Sequence, residues 1–301
     1  MRIVFLGSGA FGLPTLRRLH AEHDVALVVS QPDRPAGRKR LLTPTPVSAW
    51  AMDEVLPLER CEDANLSTML HSIEADVWVV IAFGQKLSDE LLGDRFAVNL
   101  HGSLLPRWRG AAPIHHAVMA GDARTGVSVI TLSNIMDGGA VLGSASVPIE
   151  ATTTTGALHD VLADLGPDVI SAVLAEHAAG AVQSVEQDAS CVTQAPKLGR
   201  RDARLDLTGT SDDVRCHING LSPWPGCTVS IAGVQLRLLR AGPVDEVHGP
   251  LPTGQVGSDG VLGCGSGAVQ LLDVQPAGGR PMSFIEWANG QRLSGVQEVT
   301  V

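Results

Sequence analysis

Long apolar runs are missing from this sequence: no stretch approaches the roughly 20 residues that a membrane-spanning helix requires. The N-terminal MRIVFLGSGAFG stops at a glycine turn, is too short for a secretory apolar region, and has no small-residue cleavage site behind it. A cytoplasmic chain is therefore expected, with no membrane partner. Cysteine pairing is equally absent. The five cysteines (Cys61, Cys191, Cys216, Cys227, Cys264) are odd in number, widely spaced, and never form a C-x-x-C pair, so neither a disulfide framework nor a thiolate zinc site is expected. Basic charge is also scarce. Twenty-two Lys and Arg face 32 Asp and Glu, a formal net charge of -10, which argues against a chain that grips nucleic acid over its whole surface. Contact with nucleic acid must be local, and no DNA partner is expected.

What is present is ordinary globular composition: 301 residues, 44% apolar and 18% charged, enough for about two domains. RIVFL at 2–6, a helical spacing from Phe11 to His20 and VALVV at 25–29 make a strand, helix, strand unit. Further strand runs at 77–82, 96–100, 127–132 and 140–149, with candidate helices near 47–54 and 63–73, predict an α/β fold. Its mostly parallel, Rossmann-like sheet would be covered on both faces. The apolar spacing from Thr155 to Ala179 predicts helix, but Gly166-Pro167 in its middle predicts two helices meeting there. The Thr152–Thr155 run supplies an N-cap. Beyond about 190 come short strand-like pieces (TVSI, VQLRLL, GQVGS, GVLGCG, AVQLLDV) between Gly and Pro turns, with one helix near Asp212–Asn219. That pattern predicts a small barrel. The expected organisation is a domain at 1–190, a linker at 191–205 and a barrel domain at 206–301.

Gly7-Ser-Gly9-Ala-Phe-Gly12 satisfies G-x-G-x-x-G between a strand and a helix, the context of a dinucleotide fingerprint. The acid that should end the second strand is replaced by Val29-Ser30-Gln31-Pro32. An NAD-dependent oxidoreductase stays open on this loop, beside the plainer reading that the glycines let the helix pack on its strand. Asn99 and His101 are two apart in FAVNLHG, so in a strand both side chains leave from one face. They do so where the strand gives way to a Gly-Ser-Leu-Leu-Pro loop, the end of the sheet at which ligands bind in open α/β folds. QPDRPAGRKRLL at 31–42 carries Arg34, Arg38, Lys39 and Arg40 against the single acid Asp33. Pro32, Pro35 and Gly37 among those charges suggest a projecting basic loop. Residues 196–301 hold nine basic and ten acidic residues, against 13 and 22 in residues 1–195.

The block NLHGSLLPRWRGAAPI at 99–114 resembles the methionyl-tRNA formyltransferases, a branch of the folate-dependent formyltransferase family. QPDRPAGR at 31–38, TPTPV at 43–47, VVIAFGQ at 79–85, AGDARTGVSV at 120–129, MDGG at 136–139, PWP at 223–225 and QPAGGRPM at 275–282 fit in the same order. The chain departs from that pattern at Gly9 and Ala10, at Phe83, where Tyr is commoner, and at Ala140. The resemblance implies a Rossmann-like catalytic domain followed by an OB-like tRNA-binding barrel. It implies that Asn99, His101 and Asp137 are catalytic, and that Ser103, Leu104, Leu105, Pro106, Phe83 and Gly84 contact folate. Arg34, Arg38, Lys39 and Arg40 would contact the tRNA acceptor stem, with Lys197, Arg200, Arg201 and Arg204 as candidates on the barrel side. The implied reaction moves the formyl group of 10-formyltetrahydrofolate to the α-amine of initiator methionyl-tRNA, with no metal. Sugar-nucleotide formyltransferases share a similar SLLP stretch and remain an alternative, as does a non-catalytic tRNA-binding protein.

Overall fold

The computed structural model describes residues 1–37, 39–244 and 251–301, so the expectation for Arg38 lies outside the described residues. The strands are β1 (Arg2–Gly7), β2 (Asp24–Ser30), β3 (Arg34–Ala36), β4 (Leu41–Thr43), β5 (Leu58–Arg60), β6 (Val77–Ile81), β7 (Ala97–His101), β8 (Arg124–Thr131), β9 (Val141–Pro148), β10 (Thr228–Ile231), β11 (Val234–Pro243), β12 (Gln255–Val256), β13 (Val261–Gly263), β14 (Ala268–Pro276), β15 (Met282–Ser283) and β16 (Gln297–Thr300). The helices are α1 (Leu13–Glu22), α2 (Pro46–Asp53), α3 (Thr68–Ser72), α4 (Asp89–Leu92), α5 (Pro113–Met119), α6 (Thr155–Ala178), α7 (Ser211–Gly220) and α8 (Phe284–Gly290). None of them is long and apolar enough to cross a membrane. The chain interleaves two compact units: Met1–Arg109 with Gly126–Ser146 and His159–Gln194, and Gly110–Thr125 with Val147–Leu158 and Ala195–Val301.

The first unit is built on a sheet of order β5-β2-β1-β6-β7-β8-β9. β5, β2, β1, β6 and β7 run parallel, and β8 turns antiparallel to β7, pairing Asn99 with Ile130 and His101 with Ser128. β1 and β6 are almost entirely apolar and buried, as strands covered on both faces must be. This is the Rossmann-like sheet the alternation predicts. The expected helix at 63–73 is shorter: a 3-10 turn at Ala64–Leu66, then α3.

At the first glycine loop, a Cβ on Gly7 would stand 2.7 Å from the Phe5 ring and 2.8 Å from the Ile81 carbonyl oxygen, and one on Gly12 3.1 Å from Phe5. The glycines thus allow close helix-on-strand packing. At the end of β2, where a dinucleotide fold places its acid, Ser30 is fully buried, with its hydroxyl 2.6 Å from that of Thr45 and 3.3 Å from that of Ser8.

The two helices expected at Gly166-Pro167 are one. α6 runs unbroken from Thr155 to Ala178 with Pro167 inside it, and Thr154 Oγ1 accepts from the Ala157 amide at its start. An interior proline costs about 3 kcal/mol, but Leu158, Leu162, Val169, Ile170, Val173 and Leu174 are all buried, at about 1.5–3 kcal/mol each. The burial wins. Gly166 has a packing reason of its own: a Cβ there would lie 2.6 Å from Leu100 Cδ2 and 2.7 Å from Thr15 Oγ1.

In the second unit the antiparallel order β11-β10-β16-β12-β13-β14 is closed by pairing of β11 with β14, and β15 adds to β14. Closure of these six strands makes a barrel and removes its free edges. Its core includes Ile218, Val229, Leu238, Leu271, Phe284 and Trp287. The Asn219 side chain fastens α7 to β11 in both directions: its amide donates to the Ala241 carbonyl (2.9 Å) and its oxygen accepts from the Ala241 amide (2.9 Å).

Candidate active site

Asn99 and His101 leave one face of β7 at its C-terminal end, as their two-residue spacing requires. His101 is buried, and Asn99 is half-buried. The Asn99 carboxamide makes no side-chain hydrogen bond among the described residues, so its donors remain available beside the imidazole.

The loop after β7 folds back on itself. Ser103 is fully buried, and its hydroxyl donates to the Arg107 carbonyl at 2.7 Å. The Ser128 hydroxyl, on β8, donates to the Ser103 carbonyl (2.8 Å) and accepts from the Leu105 amide (3.1 Å). This return brings the Trp108 carbonyl to His101, whose Nε2 stands 2.8 Å from it. A carbonyl only accepts, so Nε2 carries the proton, and in the neutral ring Nδ1 carries the lone pair. Nδ1 faces Asp137, with Oδ1 at 3.6 Å.

Asp137 belongs to the turn between β8 and β9 and has a φ of +52°, the left-handed region that Asp visits at moderate cost. The turn is pinned to the end of β8. The Thr131 amide donates to the Ala140 carbonyl and the Ala140 amide to Thr131 Oγ1, both at 3.0 Å. Between them Gly139 passes so close that a Cβ there would run into the Thr131 carbonyl.

Of the expected folate contacts, Leu104, Leu105 and Pro106 are partly exposed on the loop after β7. The Ser103 hydroxyl is spent inside that loop. Phe83 is only 2% exposed and packs in the core with Val4, Leu27 and Trp78, so its ring does not face solvent. What the 83–84 segment offers is backbone: the Phe83 carbonyl accepts from Gln31 Nε2 at 3.1 Å, and Gly84 has a φ of +80°.

The basic segment is a small antiparallel hairpin, β3 with β4, pairing Arg34 with Thr43 and Ala36 with Leu41. β3 and β4 are exposed along their lengths, with Leu41 64% and Leu42 72% accessible. Arg34 donates to Gln31 Oε1 (3.2 Å), and Asp33 is taken by Arg60 (2.8 Å). Lys39 and Arg40 form no ion pair among the described residues. Lys197, Arg200, Arg201 and Arg204 are all exposed, three of them at a 3-10 turn spanning Arg200–Ala203 or directly after it.

Sequence reasoning missed Gln187, Thr193 and the Trp108 carbonyl. The Trp108 amide donates to Thr193 Oγ1 at 2.8 Å. Gln187 Nε2 donates to the Asp137 and Gly139 carbonyls at 2.8 and 2.7 Å. No periodicity marks a glutamine or threonine in an irregular stretch, and one of the three contacts belongs to backbone.

A donor amide beside an imidazole that faces a carboxylate, with no serine, cysteine or lysine in the group, suits transfer of an acyl group from one small molecule to another. Comparison with known proteins narrows this to one-carbon acyl transfer: residues 1–174 match the formyl transferase family model, and residues 197–292 match that of the formyl transferase C-terminal domain. The methionyl-tRNA formyltransferase of Heliobacterium modesticaldum is 38% identical over 97% of this chain and 98% of its own. That of Paracoccus denitrificans is 40% identical over 97% and 98%. The chain belongs to the methionyl-tRNA formyltransferase family. Among solved structures, the sugar 3N-formyl transferase WlaRD, determined with dTDP and 5-N-formyl-THF, superposes with a TM-score of 0.72 at 13% identity, over 89% of this chain and 96% of that one. HypX from Aquifex aeolicus, in complex with tetrahydrofolic acid, gives 0.64 at 17% identity over 95% of this chain and 46% of that one. At such identities these two share the fold. The sugar-nucleotide alternative thus has fold-level likeness only, and family membership displaces the oxidoreductase reading of the glycine loop.

Proposed function

We propose that the protein transfers the formyl group of 10-formyltetrahydrofolate to the α-amine of methionyl initiator tRNA, in the cytoplasm, for translation initiation. The observation that carries this reading is the grouping of Asn99, His101 and Asp137 at one end of the sheet, in a chain that matches methionyl-tRNA formyltransferases over nearly its whole length. The half-buried Asn99 amide, which has no side-chain hydrogen bond among the described residues, is what an oxygen-bearing acyl donor needs beside it.

The folate supplies a formyl carbon on an aniline-like nitrogen, an activated amide. Attack by the amine creates a tetrahedral carbon with an oxyanion. The Asn99 N–H donates to that oxygen, a role whose loss costs about 10²–10³ in rate. His101 Nδ1, which holds the lone pair, takes the proton of the attacking amine, a contribution of about 10²–10⁴. The imidazolium so formed faces the Asp137 carboxylate. Opposite unit charges about 4 Å apart attract by roughly 4 kcal/mol at the effective dielectric of a protein surface. The imidazolium then gives its proton to the departing folate nitrogen as the oxyanion collapses and the formyl C–N bond to the folate breaks, releasing tetrahydrofolate and leaving the formyl group on the amine. Leu104, Leu105 and Pro106, with the backbone of Phe83 and Gly84, line the donor's site, and Ser103 shapes its loop.

Arg34, Arg38, Lys39 and Arg40 contact the acceptor stem, and the barrel domain adds Lys197, Arg200, Arg201 and Arg204. Catalytic domain 1–190, linker 191–205 and tRNA-binding domain 206–301 divide these tasks. The test is a formylation assay with charged initiator tRNA beside charged elongator methionyl-tRNA. Formylmethionyl product from the initiator, and much less from the elongator, is expected; no product with either would end the reading.

A further inference from the structure

The reaction leaves unused a segment that touches both halves of the catalytic group. Residues 187–194 run beside 106–109: the Arg109 amide donates to the Thr193 carbonyl (2.9 Å), the Trp108 amide to Thr193 Oγ1 (2.8 Å), and Arg109 bridges to Gln194 in parallel fashion. At the head of this strap stands Gln187. Its Nε2 donates to the carbonyls of Asp137 (2.8 Å) and Gly139 (2.7 Å), and its Oε1 accepts from Arg109 Nε (2.9 Å).

We infer that Gln187 is a positioning residue for the reaction, holding Asp137 at its distance from His101 by tying the Asp137 turn to the loop that orients the imidazole. Arg109 directly follows Trp108, whose carbonyl accepts from His101 Nε2. One carboxamide therefore couples the segment that fixes the ring to the segment that carries its counter-charge. Its chemistry fits no other side chain. Two carbonyls demand two donors, Arg109 Nε–H demands an acceptor, and only a carboxamide offers both in one plane. Lysine has no acceptor, and glutamate has no donor. The amide orientation is settled by the same partners, since the flipped group would set oxygen against two carbonyls and N–H against N–H.

The turn needs such a hold. Asp137 has a φ of +52°, and a residue in that region stays there only where its surroundings fix it. The two bonds from Gln187 straddle it, one on its own carbonyl and one two residues on. The His101–Asp137 pair stands at 3.6 Å, and Gln187 ties the backbone that carries the carboxylate to the loop that orients the ring. All of these residues lie within the first compact unit.

This inference rests on the proposed formyl transfer, and the experiment separates their failures. Gln187→Glu keeps the acceptor for Arg109 and replaces both donors with acceptors, while Gln187→Met keeps the length and removes all three bonds. Single-turnover formylation of charged initiator tRNA is measured for both, with KM for tRNA and for the formyl donor, and with the thermal midpoint. Both variants are expected to lose about 10- to 100-fold in rate, as when an outer partner of a reacting group is removed, with both KM values within twofold of wild type. In an Asp137→Asn background the same substitutions are expected to cost less than twofold, because their effect runs through that carboxylate. Gln187→Glu at wild-type rate would overturn the inference, and so would an equal loss with and without Asp137→Asn. If Gln187→Met does not fold, Gln187→Glu carries the test alone. A wild-type protein that formylates nothing would instead remove the proposed function.

Discussion

Replacing Gly139 by alanine adds one methyl group where the turn after β8 crosses its own strand. The new Cβ would overlap the Thr131 carbonyl oxygen and lie 2.7 Å from both the Thr131 carbonyl carbon and Thr131 Oγ1. Ordinary contacts of this kind start near 3.5 Å, so the turn must retreat by about 1 Å or more. Retreat stretches the two 3.0 Å bonds between Thr131 and Ala140 and the 2.7 Å bond from Gln187 to the Gly139 carbonyl. Asp137, two residues away, moves with them. Overpacking of this size costs about 1–3 kcal/mol in stability. A misplacement of about 1 Å in a reacting geometry costs on the order of 10² in rate. Gly139→Ala is therefore expected to fold, to melt at a lower temperature, and to formylate initiator methionyl-tRNA about 100-fold more slowly with KM for tRNA little changed. Stopped single-turnover assays with a denaturation curve on the same preparation measure both. A variant with the wild-type rate would refute the placement of Asp137 by this turn.

Other expectations follow from the same structure. Asn99→Ala and His101→Ala should each lower the rate by at least about 10² while the formyl donor still binds, since both groups act in the transition state; near-normal turnover in either would remove it from the mechanism. Replacing Arg38, Lys39 and Arg40 together with alanine should raise KM for charged tRNA and reduce its salt dependence by a log–log slope of about 2 to 3. An unchanged slope would return the β3–β4 hairpin to plain solvated surface. Burial pushes the Cys227 thiol up from 9.0 to about 12 and that of Cys264 to about 11. The folded state thus holds these protons more tightly than the unfolded one, so their stabilisation is complete below pH 9 and is lost as pH rises toward those values. For Cys227 the loss is about 1.4 kcal/mol per pH unit above 9. Urea midpoints at pH 8 and 10.5 should converge more for Cys227→Ala than for wild type, and equal alkaline losses would contradict the thiol's burial.

The β1 and β6 strands were legible because buried parallel strands must be apolar along their whole length, and RIVFL and VWVVI can be little else. The Asn99–His101 pair was legible for a similar reason, since a two-residue spacing in a strand leaves no choice of face. Helix α6 was misread because Gly166-Pro167 is a strong local stop, whereas the buried stripe that overrides it is a tertiary fact. Phe83 shows the same limit from the other side: a motif can give its position in the chain, but not that its ring turns into the core. Gln187 was invisible because its three partners come from two loops far apart in sequence, and a lone glutamine in an irregular stretch carries no period, charge or turn signal.

The interleaving of the two units bears on how the chain is completed during synthesis. Helix α5 packs against α7, which lies about 100 residues later, and Ala112 belongs to the same core as Val299. As the polypeptide leaves the ribosome from its N-terminus, Ala112 and helix α5 wait for core partners that are synthesised about 100 residues later or more. A nascent chain stalled near residue 195 would hold a nearly whole first sheet from which two segments hang unfinished. Partners so distant in sequence make closure slow, and apolar surface left unmatched in that interval favours aggregation over folding.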